Sequence, residues 1–288
     1  VIFAGAAFST ASPVARWARP VHPLVIAFGR LAVAALVLSA LERRALAAAV
    51  RGLSARHRWT VLVAGALLAA HFACFLWGLD HTSLPAAVSL VSLEPLAVVV
   101  CAWALLGVRP SRAEQAGVAL ATAGAVVVAQ GAGMGDHRLV GDLVVIAAVV
   151  LFGLYLAAAR ALKDALPARS YAALVYASAT LVLGVLLAAS PAAFEAPAWP
   201  MPVHGLVAIV ALGIVPTVLG HTAVQTASRT LPPAVVALVC PGETLGGIAI
   251  GALMLGAMPS TNELLGAAII VAGSALAILA PRAAPREA

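Results

Sequence analysis

Residues 110–124 read P-S-R-A-E-Q-A-G-V-A-L-A-T-A-G, and residues 259–273 read P-S-T-N-E-L-L-G-A-A-I-I-V-A-G. At an offset of 149, Pro110, Ser111, Glu114, Gly117, Ala119, Ala123 and Gly124 match Pro259, Ser260, Glu263, Gly266, Ala268, Ala272 and Gly273. Alanine identities carry little weight in an alanine-rich chain; the proline, serine, glutamate and two glycines carry more. The same offset takes Gly107 to Gly256 and Glu94 to Glu243, and one inserted residue aligns His71 with His221. The chain therefore reads as two copies of one unit.

Composition says what the unit is made of. The chain has 288 residues, 63% of them apolar and 10% charged, with a mean hydropathy of +1.07. Apolar runs of about 20 residues, the length of a membrane span, recur throughout. The alternative, a soluble all-α protein, is set aside because water cannot be met by helices that are apolar on every face. The fold class read here is an all-α membrane protein of ten helices, at 1–17, 23–41, 58–79, 83–107, 112–130, 139–162, 170–190, 203–228, 231–257 and 261–280. That gives five helices to each copy, over 1–130 and 139–280. Five is odd, so the second copy enters the membrane upside down. Inverted repeats of this kind build many secondary transporters, with the substrate near the midplane between the halves. The bland alternative is a duplicated scaffold that carries nothing.

Charge orients the bundle. Of the 17 Lys and Arg, 13 fall in loops on one side and in the C-terminal tail. Only Arg16, Arg19 and Arg138 fall on the other side, and Arg30 lies within a helix. Positive loops stay in the cytoplasm, so both termini are expected there; the net charge of +6 then reports topology and not nucleic acid. Cys74, Cys101 and Cys240 all sit in apolar runs without a Cys-x-x-Cys pair, and read as small packing residues. The first segment lacks the charged start of a cleavable signal peptide, and residues are expected to precede Val1.

Polar residues inside such helices are the candidates for function. Glu94 and Glu243 lie about twelve residues into the fourth and ninth helices, near mid-depth, beside Pro95 and beside Pro241 and Gly242. Proline frees a backbone carbonyl, and freed backbone at that depth needs protein or water. Two readings stand: each glutamate caps broken backbone in a neighbouring helix, or each lines a cavity. In the eighth helix His221, Gln225 and Ser228 share one face, either towards a cavity or as glue between helices. His71, with Phe75 and Gly78 on its face and Cys74 beside it, is a cavity candidate. Trp77 and His81 lie near the outer boundary, where Trp77 is read either as an aromatic-belt residue or as a substrate contact. Trp103 reads as belt at the inner end. Tyr155 needs a partner for its hydroxyl and is a further cavity candidate. Arg30, whose offset mate is Ala179, either snorkels or pairs with backbone carbonyls, or it binds a substrate carboxylate.

The five-plus-five arrangement, S-L-E-P-L at 92–96, P-G-E-T-L-G at 241–246 and G-V-A-L-A-T-A-G at 117–124 with its repeat together resemble the EamA family of the drug/metabolite transporter superfamily. The resemblance covers nearly the whole chain. It implies a bacterial inner-membrane permease that exports small metabolites such as amino acids, through a cavity lined mainly by the first, third, fourth, sixth, eighth and ninth helices. Within the family the pattern is most similar to aromatic amino-acid exporters; exporters of other metabolites or drug-like compounds remain the alternative. The expected substrate-binding set is Arg30, His71, Trp77, Glu94, Tyr155, His221, Gln225 and Glu243. No zincin, nucleophile-elbow, P-loop or EF-hand pattern occurs, so no cofactor, metal, ATP or nucleic acid is expected. The partners are a small-molecule substrate and the bilayer, and the protein is expected to be a monomer. An intramembrane enzyme or a structural subunit are the rival classes.

Overall fold

The computed structural model describes residues 2–106, 111–131, 137–162, 165–195, 199–230 and 239–279. Fourteen α-helices and one π-helical segment are found among them. In the first half they are α1 (Ile2–Ser9), α2 (Ala11–Trp17), α3 (Pro23–Leu41), α4 (Arg43–Gly52), α5 (Ala55–Asp80), α6 (Leu84–Val91), α7 (Glu94–Leu106) and α8 (Arg112–Ala129). In the second half they are α9 (Leu139–Ala161), α10 (Ala168–Ala188), α11 (Val203–Leu212), the π segment (Gly213–His221), α12 (Thr222–Thr230), α13 (Val239–Leu255) and α14 (Thr261–Leu279). No strand occurs among the described residues. Five stretches are long and apolar enough to cross a membrane: Pro23–Leu41, Ala55–Asp80, Leu139–Leu156, Ala168–Ala188 and Val203–Ala227. Shorter apolar helices accompany them at Gly242–Leu255 and Thr261–Leu276.

The starts of the helices are set by side chains that meet otherwise unpaired backbone N–H groups. The Ser54 hydroxyl accepts from His57 N at 3.3 Å, which is why α5 begins at Ala55 and not at the expected residue 58. His22 Nδ1 accepts from Leu24 N at 3.2 Å, with Pro23 in the first position of α3. The repeated Pro-Ser-x-x-Glu signature has the same physical meaning in both halves. Ser111 N donates to Glu114 Oε2 at 2.7 Å and Glu114 N to Ser111 Oγ at 3.2 Å. Ser260 N donates to Glu263 Oε2 at 2.6 Å and Glu263 N to Ser260 Oγ at 3.3 Å. Each is a reciprocal capping box.

The packing maps onto itself when the halves are exchanged. α5 lies along α9 as α1 lies on the π segment, α7 packs on α9 as α13 packs on α1, and α3 pairs with α10 and α8 with α14. The α8–α14 seam shows the relative direction. A Cβ on Gly124 would come within 2.9 Å of Gly266 O, and one on Gly273 within 2.8 Å of Gly117 O. The early glycine of each helix therefore meets the late glycine of the other, so these two helices run antiparallel. Small residues at such crossings let backbones approach where no hydrophobic drive separates protein from lipid.

Several elements differ from the sequence reading. The expected first helix is split at Thr10, and an extra helix, α4, occupies the loop before α5. α4 carries Arg43, Arg44 and Arg51 and has no buried residue. The fourth helix is two half-helices, because the chain turns at Ser92 and Leu93. Leu93 N reaches Leu90 O at 3.0 Å and the ladder then restarts with Ala97 N to Leu93 O at 3.0 Å. Pro95 is the second residue of α7, where its missing N–H costs nothing. The eighth helix widens into the π segment around Pro216. Residues 231–238 of the expected ninth helix lie outside the described residues, as do Arg109, Lys163, Arg282 and Arg286.

Candidate functional site

The break in the fourth helix is satisfied by side chains from the second half. Ser92 Oγ hydrogen-bonds Thr244 Oγ1 of α13, and Ser274 Oγ of α14 donates to the Ser92 carbonyl at 3.1 Å. Ser9 Oγ of α1 donates to Gly242 O at 3.1 Å. These serines and Thr244 do the clamping that one reading gave to the glutamates. Among the described residues, no hydrogen bond or ion pair holds the carboxylate of Glu94 or of Glu243. Both are buried, 7% and 8% exposed, and both line the same central cavity.

That cavity is bounded by Phe8, Ala11, Arg30, His71, Phe72, Phe75, Val91, Glu94, His221 and Glu243, and measures about 30 Å³. Its contributing helices come from both halves: α1, α2, α3, α5, α6, α7, the π segment and α13. Aromatic rings wall it. His221 meets Phe8 edge-on at 4.8 Å between centroids, Phe72 at 5.4 Å and Phe152 at 5.9 Å. His71 packs 4.9 Å from Phe72 and 5.3 Å from Phe152, and its Nδ1 lies 2.9 Å from Ala148 O. A carbonyl only accepts, so Nδ1 is the donor in this contact.

Arg30 is the cation of the cavity. It is 1% exposed, so it does not snorkel: the outward reading of this residue is overturned, and no backbone carbonyl partners it among the described residues. Its Nε and Nη2 donate to Thr217 Oγ1 at 3.1 and 3.0 Å, and its guanidinium carbon lies 4.1 Å from the Phe72 ring centroid. A desolvated cation over a ring is worth about 2 kcal/mol. Thr217 is there because of Pro216. Proline has no N–H for the carbonyl four residues back, which is Leu212 O, and Thr217 Oγ1 donates to that carbonyl at 2.7 Å instead. The hydroxyl oxygen keeps lone pairs for Arg30. One proline thus opens the turn, and the next residue turns the freed carbonyl into a seat for a guanidinium. The remaining nitrogen, Arg30 Nη1, is buried without a hydrogen-bond partner.

The expected site residues divide into three groups. Arg30, His71, Glu94, His221 and Glu243 are brought together on the cavity. Tyr155 and Gln225 lie behind its wall: Gln225 Nε2 donates to Tyr155 Oη and to Tyr176 Oη at 3.4 Å, and Phe152 stands 6.0 Å from Tyr155. They reach the cavity only through neighbours. Trp77 is not brought to it. It is 37% exposed and stacks on His81 at 3.7 Å. Trp103 is likewise exposed. The Ser228 side chain lies outside the described residues. The sequence reading missed Phe8, Phe72, Phe152, Thr217 and Tyr176, which carry no charge to single them out in apolar helices; Pro216 marked a break in the eighth helix but not what Thr217 would seat.

At one end of the bundle, polar groups around residues 79–83 link several helices. Arg16 Nη2 donates to Leu79 O and Thr82 O, both at 2.5 Å, and Arg19 Nε lies 2.6 Å from Asp80 Oδ1. Thr82 Oγ1 donates to Asp142 Oδ1 at 2.6 Å, and Asp142 Oδ2 lies 2.8 Å from His137 Nε2. His137 Nδ1 lies 3.7 Å from Glu263 Oε1, which also accepts from Ser83 Oγ. Thr82, His137, Asp142 and Glu263 are all buried. This chain joins the turn between α5 and α6 to α9 and α14.

Comparison with known proteins adds a family and a fold. The model of the EamA-like transporter family matches residues 1–130 and again 139–279. A crystal structure 22% identical in sequence aligns over 96% of this chain and 94% of its own, with a TM-score of 0.68; at that identity the likeness concerns the fold. No curated protein matches.

Proposed function

Since the chain belongs to the EamA-like transporter family, a membrane transporter of small molecules, we propose that it exports amino acids, aromatic or other neutral ones, as a secondary permease. It has ten spans in two inverted five-helix repeats, over 1–130 and 139–280, sits in the bacterial inner membrane with both termini cytoplasmic, and acts as a monomer. The observation that carries the substrate class is the central cavity. It sets one guanidinium and two carboxylates within a wall of aromatic rings. A zwitterion offers a charge to each, and an apolar side chain suits the rings.

The size of the cavity supports alternating access. About 30 Å³ has room for a water and not for an amino acid, so the halves part to load the site. The polar chain from Thr82 to Glu263 keeps one end closed meanwhile, and by the lysine and arginine bias that end is the periplasmic one.

The test is flux. Purified protein in sealed liposomes is given a panel of radiolabelled amino acids and nucleosides, with and without a pH gradient. Passage of neutral amino acids, recovered chemically unchanged, supports the reading. Passage of nucleosides alone, or a chemically altered product, overturns it.

A further inference from the structure

We propose that Arg30 is the residue that makes the cavity select a carboxylate, with Nη1 as the donor and Thr217 as the residue that positions it. The inference rests on the amino-acid reading and sharpens it: the cargo must carry a free acid group, and that group is held at one fixed end of the cavity.

Three observations carry it. First, the charges of the cavity do not obey the repeat. Glu94 and Glu243 are mates at the offset of 149, whereas Arg30 and Thr217 meet Ala179 and Leu68 at that offset, or Thr180 and Leu67 with the inserted residue that aligns His71 with His221, and neither pairing supplies a second guanidinium. A symmetric pair of carboxylates cannot tell one end of a cargo from the other; a single cation can. Second, Arg30 is held and incomplete at once. Nε and Nη2 are spent on Thr217, the guanidinium face is spent on Phe72, and Nη1 is buried with no partner while the residue lines the cavity. A buried charged donor left unpaired is costly, and an anion arriving in the cavity relieves that cost. Third, the seat of the guanidinium is a π segment, a form frequent at functional sites, and it exists here because Pro216 releases Leu212 O for Thr217. The fork is therefore fixed before cargo arrives, which limits the ordering cost of binding.

The test uses the full chain in liposomes and a matched ligand series. The best-carried of the twenty labelled amino acids is competed with itself, with its carboxamide and with its decarboxylated amine. The expected result is competition by the acid, with the carboxamide and the amine at least about tenfold weaker, the range for losing a hydrogen bond to a charged group. Acid and amide competing alike overturn the anchor and leave amino-acid export standing; flux of none of the twenty overturns both. Arg30→Gln is expected to erase the acid-to-amide preference, read as a ratio and so independent of how much protein inserts. Arg30→Lys, which keeps a cation in the bundle should Arg30→Gln fail to fold, is expected to keep the preference with weaker binding. A preference undiminished in Arg30→Gln, or acid binding undiminished in Arg30→Lys, overturns the assignment.

Discussion

The α8–α14 seam can be tested by adding one carbon. In Gly273→Ala the new Cβ would stand 2.6 Å from Ala121 N, 2.8 Å from Gly117 O and 3.0 Å from Ala121 Cα. All three are backbone atoms of the facing helix, so no side chain can rotate away and α14 must move. Restoring ordinary contact needs a shift of roughly 0.5–1 Å, which forfeits a quarter to a half of the attraction along the seam. Overpacking of this kind costs about 1–3 kcal/mol. Against it stands the gain of about 1 kcal/mol for alanine over glycine within a helix. Gly52→Ala separates the two effects. Nothing lies within 4 Å of a Cβ there, so that variant, at the last residue of α4, shows no overpacking and at most the gain. Gly273→Ala should therefore melt below Gly52→Ala by about 1–3 kcal/mol, some 2–12 °C at about 2–4 °C per kcal/mol. Thermal unfolding of detergent-solubilised protein measures this. Gly124→Ala strains the other half of the seam, and the double variant with Gly273→Ala should cost less than the sum, because helices already parted are not parted twice. Equal melting of Gly273→Ala and Gly52→Ala would refute the close crossing.

Further outcomes follow from individual contacts. Thr217→Val removes the acceptor for two Arg30 donors and the donor to Leu212 O; it should destabilise by about 1–3 kcal/mol, with Thr217→Ser close to wild type in the same melt. Asp142→Asn weakens the acceptor shared by Thr82 and His137 and should loosen the closed end, read as faster labelling of a cysteine at position 91 from the periplasmic side; unchanged labelling would remove the closing role. Cysteine at position 195 should react with an impermeant reagent in intact cells and cysteine at 51 should not; the reverse would invert the topology. His22 is pushed below the ordinary imidazole value by burial, partly offset by Asp80, and its neutral Nδ1 caps α3. The cap is complete above the ordinary imidazole value and is lost as pH falls through the lowered one. His22→Asn should keep the cap and flatten that part of the stability–pH profile.

The legible part of the fold was the part repeated in sequence. Pro-Ser-x-x-Glu announced a duplication before its meaning as a capping box was known, because side chain and backbone three residues apart settle a helix start locally. Glu94 and Glu243 stood out because a carboxyl in an apolar helix must face something polar, but sequence alone left both a backbone cap and a cavity wall open. The break beside Glu94 was expected at Pro95 and falls at Ser92 and Leu93, since proline is tolerated in the first turn of a new helix and the interruption lies just before it. The partner of Arg30 was not legible: Thr217 is 187 residues away, and threonine is common in membrane helices without a partner to seat. The aromatic wall was hidden for the opposite reason, because Phe8 and Phe72 are apolar residues in apolar surroundings and only packing distinguishes them from the rest.

The arrangement separates what symmetry can supply from what it cannot. Two copies of one unit give matched seams, matched caps and a matched pair of buried glutamates, so the two halves of such a frame are built from the same parts. Cargo with two unlike ends needs an unlike pair of sites. Here the unlike element is a short causal run in one copy: Pro216 frees the Leu212 carbonyl, Thr217 takes it, and the same hydroxyl holds Arg30 of the other copy. The counterpart positions in the repeat, Ala179 or Thr180 for Arg30 and Leu67 or Leu68 for Thr217, hold no guanidinium and cannot make this contact. The link also crosses from α3 to the π segment, between halves that must part if the cavity of about 30 Å³ is to admit a metabolite. A cargo bound to Arg30 therefore sits on the joint between the copies, where its charge bears on how α3 and the π segment meet.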